Sequence, residues 1–480
     1  MKKDYSKYFA PSLKDARKRL KKDIKNIDFE IEEKYLGMGL NKTYMLKTYG
    51  CQGNLADSEK IAGIMDELGY KEVFTEVEAD VIFFNTCAIR ENAENRIYGE
   101  LGRLKGLKNN NPNLLICLCG CMPQEEVTVD LLREKYTQVD IVFGTHNIHK
   151  IPEYLYDAYL THERILEVYS FEGEIVEGVP QKRAHNKRAW VDIMYGCDEF
   201  CTYCIVPYTR GKQRSRKPEH IINEVKDLVS KGYLEVTLLG QNVNAYGKDF
   251  IDQEYTFGNL LEDLAKTNIK RIRYTTSHPR DLDDYTIEVM GKYDNIMPHL
   301  HLPVQSGSNQ ILKKMNRKYT REVYLDKVNK LKQHVPSLAL TTDIIVGFPG
   351  ETDEDFNDTL KLVEEANFEG AYTFIYSPRK GTPAASYENQ IPQDISKQRL
   401  LTLNKAINDG FYKGNKRFED TIVEVFVDGV SDKNDNILTG YTKHNKLVNF
   451  DGPKELIGTL QEVKITKAFT WHLRGELIKK

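Results

Sequence analysis

Eight cysteines stand at positions 51, 87, 117, 119, 121, 197, 201 and 204 of this 480-residue chain, and no other residue type offers more chemistry. Three of them fall in GCDEFCTYCIVPYTRG (196–211), spaced C-x3-C-x2-C. Three thiolates on one tight loop can hold a corner of a cubane iron–sulfur cluster, each on a different iron, which leaves the fourth iron open. Zinc is the competing reading. A closed structural zinc takes four ligands, and no His or Cys follows within the next ten residues to complete a local set. Cys51, Cys87 and Cys121 lie 36 and 34 residues apart and form no local motif. Each nevertheless ends an apolar run that reads as a strand, in KTYGCQGN, FFNTCAIR and CLCGCMPQ. In a parallel sheet those ends share one edge, where three thiols either bind a second cluster or stay idle in the core. Cys117 and Cys119 lie inside LLICLCG and read as small buried hydrophobes.

Composition narrows the setting. Hydrophobic residues make up 40% and charged residues 29%, with a net charge of −3, as in soluble globular proteins. No apolar run approaches the roughly 18 residues that span a bilayer. The N-terminus, MKKDYSKYFAPSLKDARKRLKKD, lacks the apolar stretch of a secretory signal. A cytoplasmic chain without membrane attachment is expected, and in a reducing compartment clustered cysteines serve metal or redox chemistry rather than disulfides.

The elements that must position the cysteines follow from apolar periodicity. Strands are expected at 43–50, 81–87, 114–121 and 141–147, alternating with helices, which predicts an α/β domain with a doubly wound parallel sheet. After a polar linker at 172–187 the alternation restarts, with strands at 189–196, 234–240, 271–277, 297–304, 338–347 and 370–377. That is a partial (β/α)6 barrel. From about Asp420 apolar residues alternate with period two, predicting a small antiparallel β-barrel. The expected boundaries are a charged extension at 1–41, a first domain at 42–158, the barrel at 183–415 and the terminal barrel at 418–480. The extension reads as a solvated helix, a disordered arm or a basic strip that assists RNA binding. Ligands of such barrels bind at the carboxyl ends of the strands. Those ends carry Gly240, Gln241, Asn242, Ser277, His278, Gln305, Ser306, Gly347 and Glu351, which are the candidate cofactor-binding residues.

The C-x3-C-x2-C loop after the first strand of a partial barrel resembles the radical S-adenosylmethionine superfamily. That resemblance implies a [4Fe–4S] cluster on Cys197, Cys201 and Cys204, whose open iron chelates S-adenosylmethionine and whose electron cleaves it to a 5′-deoxyadenosyl radical. Upstream lie K-T-Y-G-C, N-T-C-x-I-R and G-C-M-x-Q, and the terminal barrel resembles a TRAM domain. Residues 42–480 together look like the methylthiotransferases, which implies an auxiliary [4Fe–4S] cluster on Cys51, Cys87 and Cys121. The stretches GQNVNAYG (240–247), TTSHP (275–279), HLPVQSGS (301–308) and SPRKGTPA (377–384) resemble the MiaB branch. Gly53 and Pro123 depart from it, where methionine and alanine are usual.

The branch implies methylthiolation of C2 of N(6)-isopentenyladenosine at position 37 of tRNA, with S-adenosylmethionine as both methyl donor and radical source. The alternatives are a ribosomal protein or threonylcarbamoyladenosine as substrate, or a non-catalytic RNA-binding iron–sulfur protein. Expected partners are the tRNA anticodon loop, a sulfur donor and an external electron donor such as a flavodoxin or ferredoxin, acting on a monomer. Arg210, Lys212, Arg214, Arg216 and Lys217, with Lys443, His444, Lys446 and Arg474 of the terminal barrel, are candidate RNA contacts. Trp471 reads either as a base-stacking surface or as part of the barrel core.

Overall fold

A strand covered on both faces has no polar side to show, and Val81–Thr86 and Leu115–Gly120 are buried at every position. Their neighbours complete a fully parallel sheet in a computed structural model that describes residues 25–88, 91–169, 174–185, 187–251, 253–432 and 434–478. The basic segment expected to act as an arm or RNA strip lies almost wholly before residue 25, outside the described residues. The chain divides into two units, one holding the described residues up to Ala184 with Tyr195–Glu199 and Ile205–Arg216, the other holding the rest.

In the first unit, β1 (Thr43–Tyr49), β2 (Lys71–Glu72), β3 (Val81–Thr86), β4 (Leu115–Gly120), β5 (Ile141–Phe143) and β6 (Ile165–Glu167) form one sheet, ordered β2-β1-β3-β4-β5-β6. Alternate side chains feed two cores. Phe83, Cys117 and Phe143 pack with α1 (Gln52–Glu67) and α4 (Ile151–Thr161). Phe84, Leu118 and Val142 pack with α2 (Glu91–Asn110) and α3 (Glu126–Glu134) on the other face. This is the expected double winding. The two edge strands went unpredicted because two or three residues are too short to display a period, and β6 lies beyond the expected boundary at 158.

The second unit holds the parallel strands β7 (Arg188–Asp192), β8 (Glu235–Leu239) and β9 (Arg271–Tyr274), then β10 (His299–His301), β11 (Ala339–Val346) and β12 (Gly370–Ile375). Each trio is a separate sheet, and among the described residues the isolated bridge Ile272↔Ile296 continues the arc between them. The helices between strands include α5 (Pro218–Ser230), α6 (Phe257–Ala265), α7 (Asp284–Lys292), α8 (Asn309–Lys314), α9 (Arg321–His334), α10 (Asp353–Ala366) and α11 (Gln393–Lys416). Asp283, Ser308, Thr320 and Thr352 start four of them locally, each side chain accepting from the amide three residues on.

β13 (Ile422–Ser431), β14 (Asn434–Thr442), β15 (Leu447–Asp451), β16 (Leu460–Ala468) and β17 (Leu473–Leu477) close a barrel in the order β13-β14-β15-β17-β16. The sequence predicts an antiparallel barrel throughout, but the β15–β17 seam is parallel. Five strands cannot alternate in direction all the way round a closed ring, so one like-directed seam is unavoidable. The barrel docks on β8 and β9. Arg271 and Arg273, both paired with Glu235, donate to the carbonyls of Tyr441 (3.1 Å) and Thr442 (2.6 Å). Among the described residues no helix is long and apolar enough to cross a membrane.

Candidate iron–sulfur sites

Register alone carries Cys51, Cys87 and Cys121 to one edge. Tyr49 pairs with Thr86 and Thr86 with Gly120, so β1, β3 and β4 end level. The Cys87 amide donates to Tyr49 O at 2.9 Å and the Cys121 amide to Thr86 O at 2.8 Å, so each cysteine is the first residue past its strand. Cys51 caps α1, its amide donating to Asn54 Oδ1 at 3.3 Å. Asn54 Nδ2 donates to Asn85 Oδ1 (3.0 Å) and Asn85 Nδ2 to Asn54 O (2.8 Å), which locks that cap to β3. Gly120 is required where it stands. Its φ is +96°, and an added Cβ would lie 2.4 Å from Thr86 O.

The three thiols share an electrostatic environment. A hydrogen bond from Cys87 lowers the Cys51 thiol to about 5 against the cost of burial, with Arg210 adding to the effect. Burial pushes the Cys121 thiol up, and Arg210 opposes it. Cys117 and Cys119 are buried inside β4 and raised well above the usual thiol range by desolvation. Three thiols of one edge, with two others sealed in the core, form a donor set suited to a cluster with one open iron.

Cys197, Cys201 and Cys204 lie on an irregular loop before the short helix Val206–Thr209. Gly196 opens it at φ +73°, where a Cβ would meet Lys212 O at 2.1 Å. The Cys197 amide donates to Gly211 O at 3.1 Å. In the second unit, the Cys204 amide donates to Cys201 O at 3.0 Å. Arg317 Nη1 donates to Cys201 Sγ at 3.4 Å, while Nη2 and Nε hold Pro303 O and Tyr319 Oη, each at 2.9 Å. All three guanidinium nitrogens are thereby committed.

The carboxyl ends of β8 and β9 carry an unusual set of buried polar atoms. Gln241 Oε1, Asn242 Oδ1, both amide atoms of Asn244 and Ser277 Oγ are buried without a hydrogen-bond partner among the described residues. Orphaned buried polar atoms are costly, and several together fit the amine, carboxylate and ribose of S-adenosylmethionine. Asn242 is oriented for this by its Nδ2, which donates to Asp281 Oδ2 at 2.6 Å. Asn244, two positions beyond the strand-end reading, was missed by the sequence analysis. Gln305 sits at φ +71°, its backbone bonded to β11 through Asp343 O and the Ile345 amide. Glu351 is tied into its own loop. Its carboxylate accepts from the Gly347 amide (2.7 Å) and Arg399 Nη1 (2.9 Å), so it holds its own loop closed.

The basic candidates divide by burial. Arg210, Arg214 and Arg216 are buried, with Arg210 on Asp57, Arg216 on Glu177 and Arg214 beside the Tyr195 ring. Arg210 and Arg216 are thus each held by a buried carboxylate. Lys217 is exposed and Lys212 half-buried. In the terminal barrel Lys446 is buried on Glu369 at 2.9 Å, Arg474 pairs with Asp451, and Lys443 lies 3.9 Å from Glu424. Trp471 is 61% exposed and lies outside the barrel core, with its ring 4.8 Å from that of Phe411. Phe469 and His472 stack beside it at 4.6 Å.

Burial also gives the fold a pH dependence. Desolvation lowers His149 to about 4 and His444 to about 3. Both imidazoles are neutral when folded and protonate near pH 6.5 when unfolded, so below that pH the unfolded chain binds more protons. Stability should therefore fall from pH 6.5 towards 4, by about 1.4 kcal/mol per pH unit for each histidine. Calorimetry from pH 7 to 5 should record falling Tm values. His149→Gln should flatten the slope for the first unit and leave that of the second.

Sequence profiles of three families match this chain: the Radical SAM superfamily over residues 191–363, Uncharacterized protein family UPF0004 over 43–144 and the TRAM domain over 416–478. It is 57% identical to a tRNA-2-methylthio-N(6)-dimethylallyladenosine synthase of Bacillus cytotoxicus, covering 99% of this chain and 95% of the relative. The protein of that name from Geobacillus kaustophilus is 56% identical, covering 99% and 91%. Among solved structures, the radical S-adenosylmethionine methyltransferase TsrM from Kitasatospora setae matches with a TM-score of 0.52 at 13% identity, over 72% of this chain and 75% of that one. That last likeness is one of fold.

Proposed function

The chain belongs to the family of tRNA-2-methylthio-N(6)-dimethylallyladenosine synthases, and on that premise we propose that it replaces C2–H of N(6)-isopentenyladenosine at position 37 of tRNA with C2–SCH3. It is a radical S-adenosylmethionine tRNA methylthiotransferase with two [4Fe–4S] clusters in this reading. The observation that carries the reading is the convergence of Cys51, Cys87 and Cys121 on one sheet edge, separate from the set at Cys197, Cys201 and Cys204. One three-thiol set suffices to start a radical reaction. The second supplies a place for the sulfur that the product requires.

When bound, the cluster on Cys197, Cys201 and Cys204 supplies the electron that cleaves S-adenosylmethionine, and the cluster on the other set carries sulfur. Each set of three thiols would leave one iron of a bound cluster for a ligand from outside the chain. Gln241, Asn242, Asn244 and Ser277 offer donors and acceptors to the cofactor's amine, carboxylate and ribose, and Asp281 keeps Asn242 in orientation. The adenine must leave its stack to reach such a site, which an anticodon loop permits at small cost. Trp471, Phe469 and the neighbouring Lys467 form an exposed aromatic and basic surface suited to unpaired bases. The electron and sulfur donors are separate proteins or small molecules met in the cytoplasm.

Mass spectrometry of tRNA nucleosides from a deletion strain tests the proposal. N(6)-isopentenyladenosine should accumulate and its 2-methylthio form should vanish, then return on complementation. An unchanged 2-methylthio-isopentenyladenosine level would rule out this substrate. Loss of a methylthio group from threonylcarbamoyladenosine or from a ribosomal protein would replace it.

A further inference from the structure

A guanidinium withdrawn from water must be compensated at its donors. Arg210, only 7% exposed, finds that compensation at the first cysteine set. Its Nη2 donates to Asp57 Oδ2 at 2.7 Å and its Nε donates to Cys121 Sγ at 3.3 Å. A Cβ placed on Gly53 would lie 3.5 Å from Arg210 Nη2 and 3.6 Å from Cys51 Sγ. The guanidinium therefore borders Cys51 as well, and the residue between them has no side chain to separate them. Asp57 is buried on α1, the helix that Cys51 caps, so carboxylate and thiol are held by one rigid element.

The chemistry of such an arrangement has a definite sign. An N–H···S bond from a cation draws charge off a ligand sulfur and favours the reduced, more negative cluster. Hydrogen bonds to sulfur and local charge are among the quantities that set cluster potentials. A carboxylate on the same guanidinium acts in the opposite sense while fixing its orientation. We infer that the Arg210–Asp57 pair positions Cys121 and sets the reduction potential of a cluster held by Cys51, Cys87 and Cys121. The inference rests on the proposed function in requiring that this set holds a cluster.

The test uses the full chain with Cys197, Cys201 and Cys204 replaced by alanine, so that only one set can load. After anaerobic reconstitution, about four irons per chain should bind. In a redox titration followed by electron paramagnetic resonance, Arg210→Gln should shift the reduction equilibrium about tenfold towards the oxidised cluster, 59 mV for a one-electron couple. Asp57→Asn should shift it by a similar factor in the opposite direction, and Arg210→Lys should fall between Arg210→Gln and the parent. A purely structural role would move both variants the same way or neither. A potential for Asp57→Asn equal to or below the parent's overturns the inference, whatever becomes of Arg210→Gln. Four irons with unmoved potentials overturns this inference alone. A parent that binds no iron overturns it together with the two-cluster reading.

Discussion

Alanine at Cys51, Cys87 and Cys121 together should halve the iron bound after anaerobic reconstitution, from about eight to about four per chain, at four irons for each cluster. Methylthiolated product should disappear, while reductive cleavage of S-adenosylmethionine should persist, because Cys197, Cys201 and Cys204 are untouched. The complementary triple variant should also retain about four irons yet lose cleavage as well as product. The asymmetry follows from the proposed division of labour between the sets. Cys117→Ala and Cys119→Ala serve as controls. Both thiols are buried within β4, among core side chains, so each should cost about 1 kcal/mol of stability and no iron. A first triple variant that kept all its iron, or that lost cleavage, would break the assignment of the two sets.

Gly120→Ala should have a large effect although it removes no functional group. The backbone there is left-handed, which costs about 1–2 kcal/mol for a residue with a side chain. The new Cβ would also press to 2.4 Å from Thr86 O, a backbone atom of a central strand that cannot move aside. Together these predict a loss of about 3 kcal/mol or more, and a fall in Tm of roughly 6–12 °C for a unit of this size. Because Gly120 immediately precedes Cys121, the iron of the first set should fall with it. Gly102→Ala is the contrast. It lies in α2 with nothing within 4 Å of an added Cβ, and should stabilise the helix by about 1 kcal/mol. Thermal melts of the two variants, with iron counts, separate a requirement for conformation from general tolerance of alanine.

Much of the architecture was legible from the chain itself. Val81–Thr86 and Leu115–Gly120 announce buried parallel strands because a strand covered on both faces reads as a near-continuous apolar run. Lys71–Glu72 and Ile165–Glu167 escaped notice because their pairing comes from the neighbouring strand rather than from their own pattern. The parallel β15–β17 seam was hidden for a different reason. Period-two alternation tells which face a residue takes and says nothing of which strand closes the ring.

At the candidate sites the division is similar. Arg210 read as a phosphate contact because its neighbours along the chain are basic. Its partner within the fold, Asp57, stands 153 positions away. Glu351 reads as a cofactor contact because it ends a strand loop, and its Oε2 accepts from Arg399 and the Gly347 amide, partners the sequence does not display. Trp471, read as a base platform or a core residue, proved to be a surface residue.

By itself the sequence determined the second cysteine set, because C-x3-C-x2-C is closed by a few covalent bonds and needs no fold to bring its thiols near one another. It also determined the alternation of the longer strands and helices, through apolar period. Only the tertiary structure decided that Cys51, Cys87 and Cys121 meet, because that depends on β1, β3 and β4 ending in register. Only it decided that Arg210 is buried, with its donors on Asp57 and Cys121. Interactions between residues far apart in sequence are set by packing, and packing is not written in the spacing of neighbours.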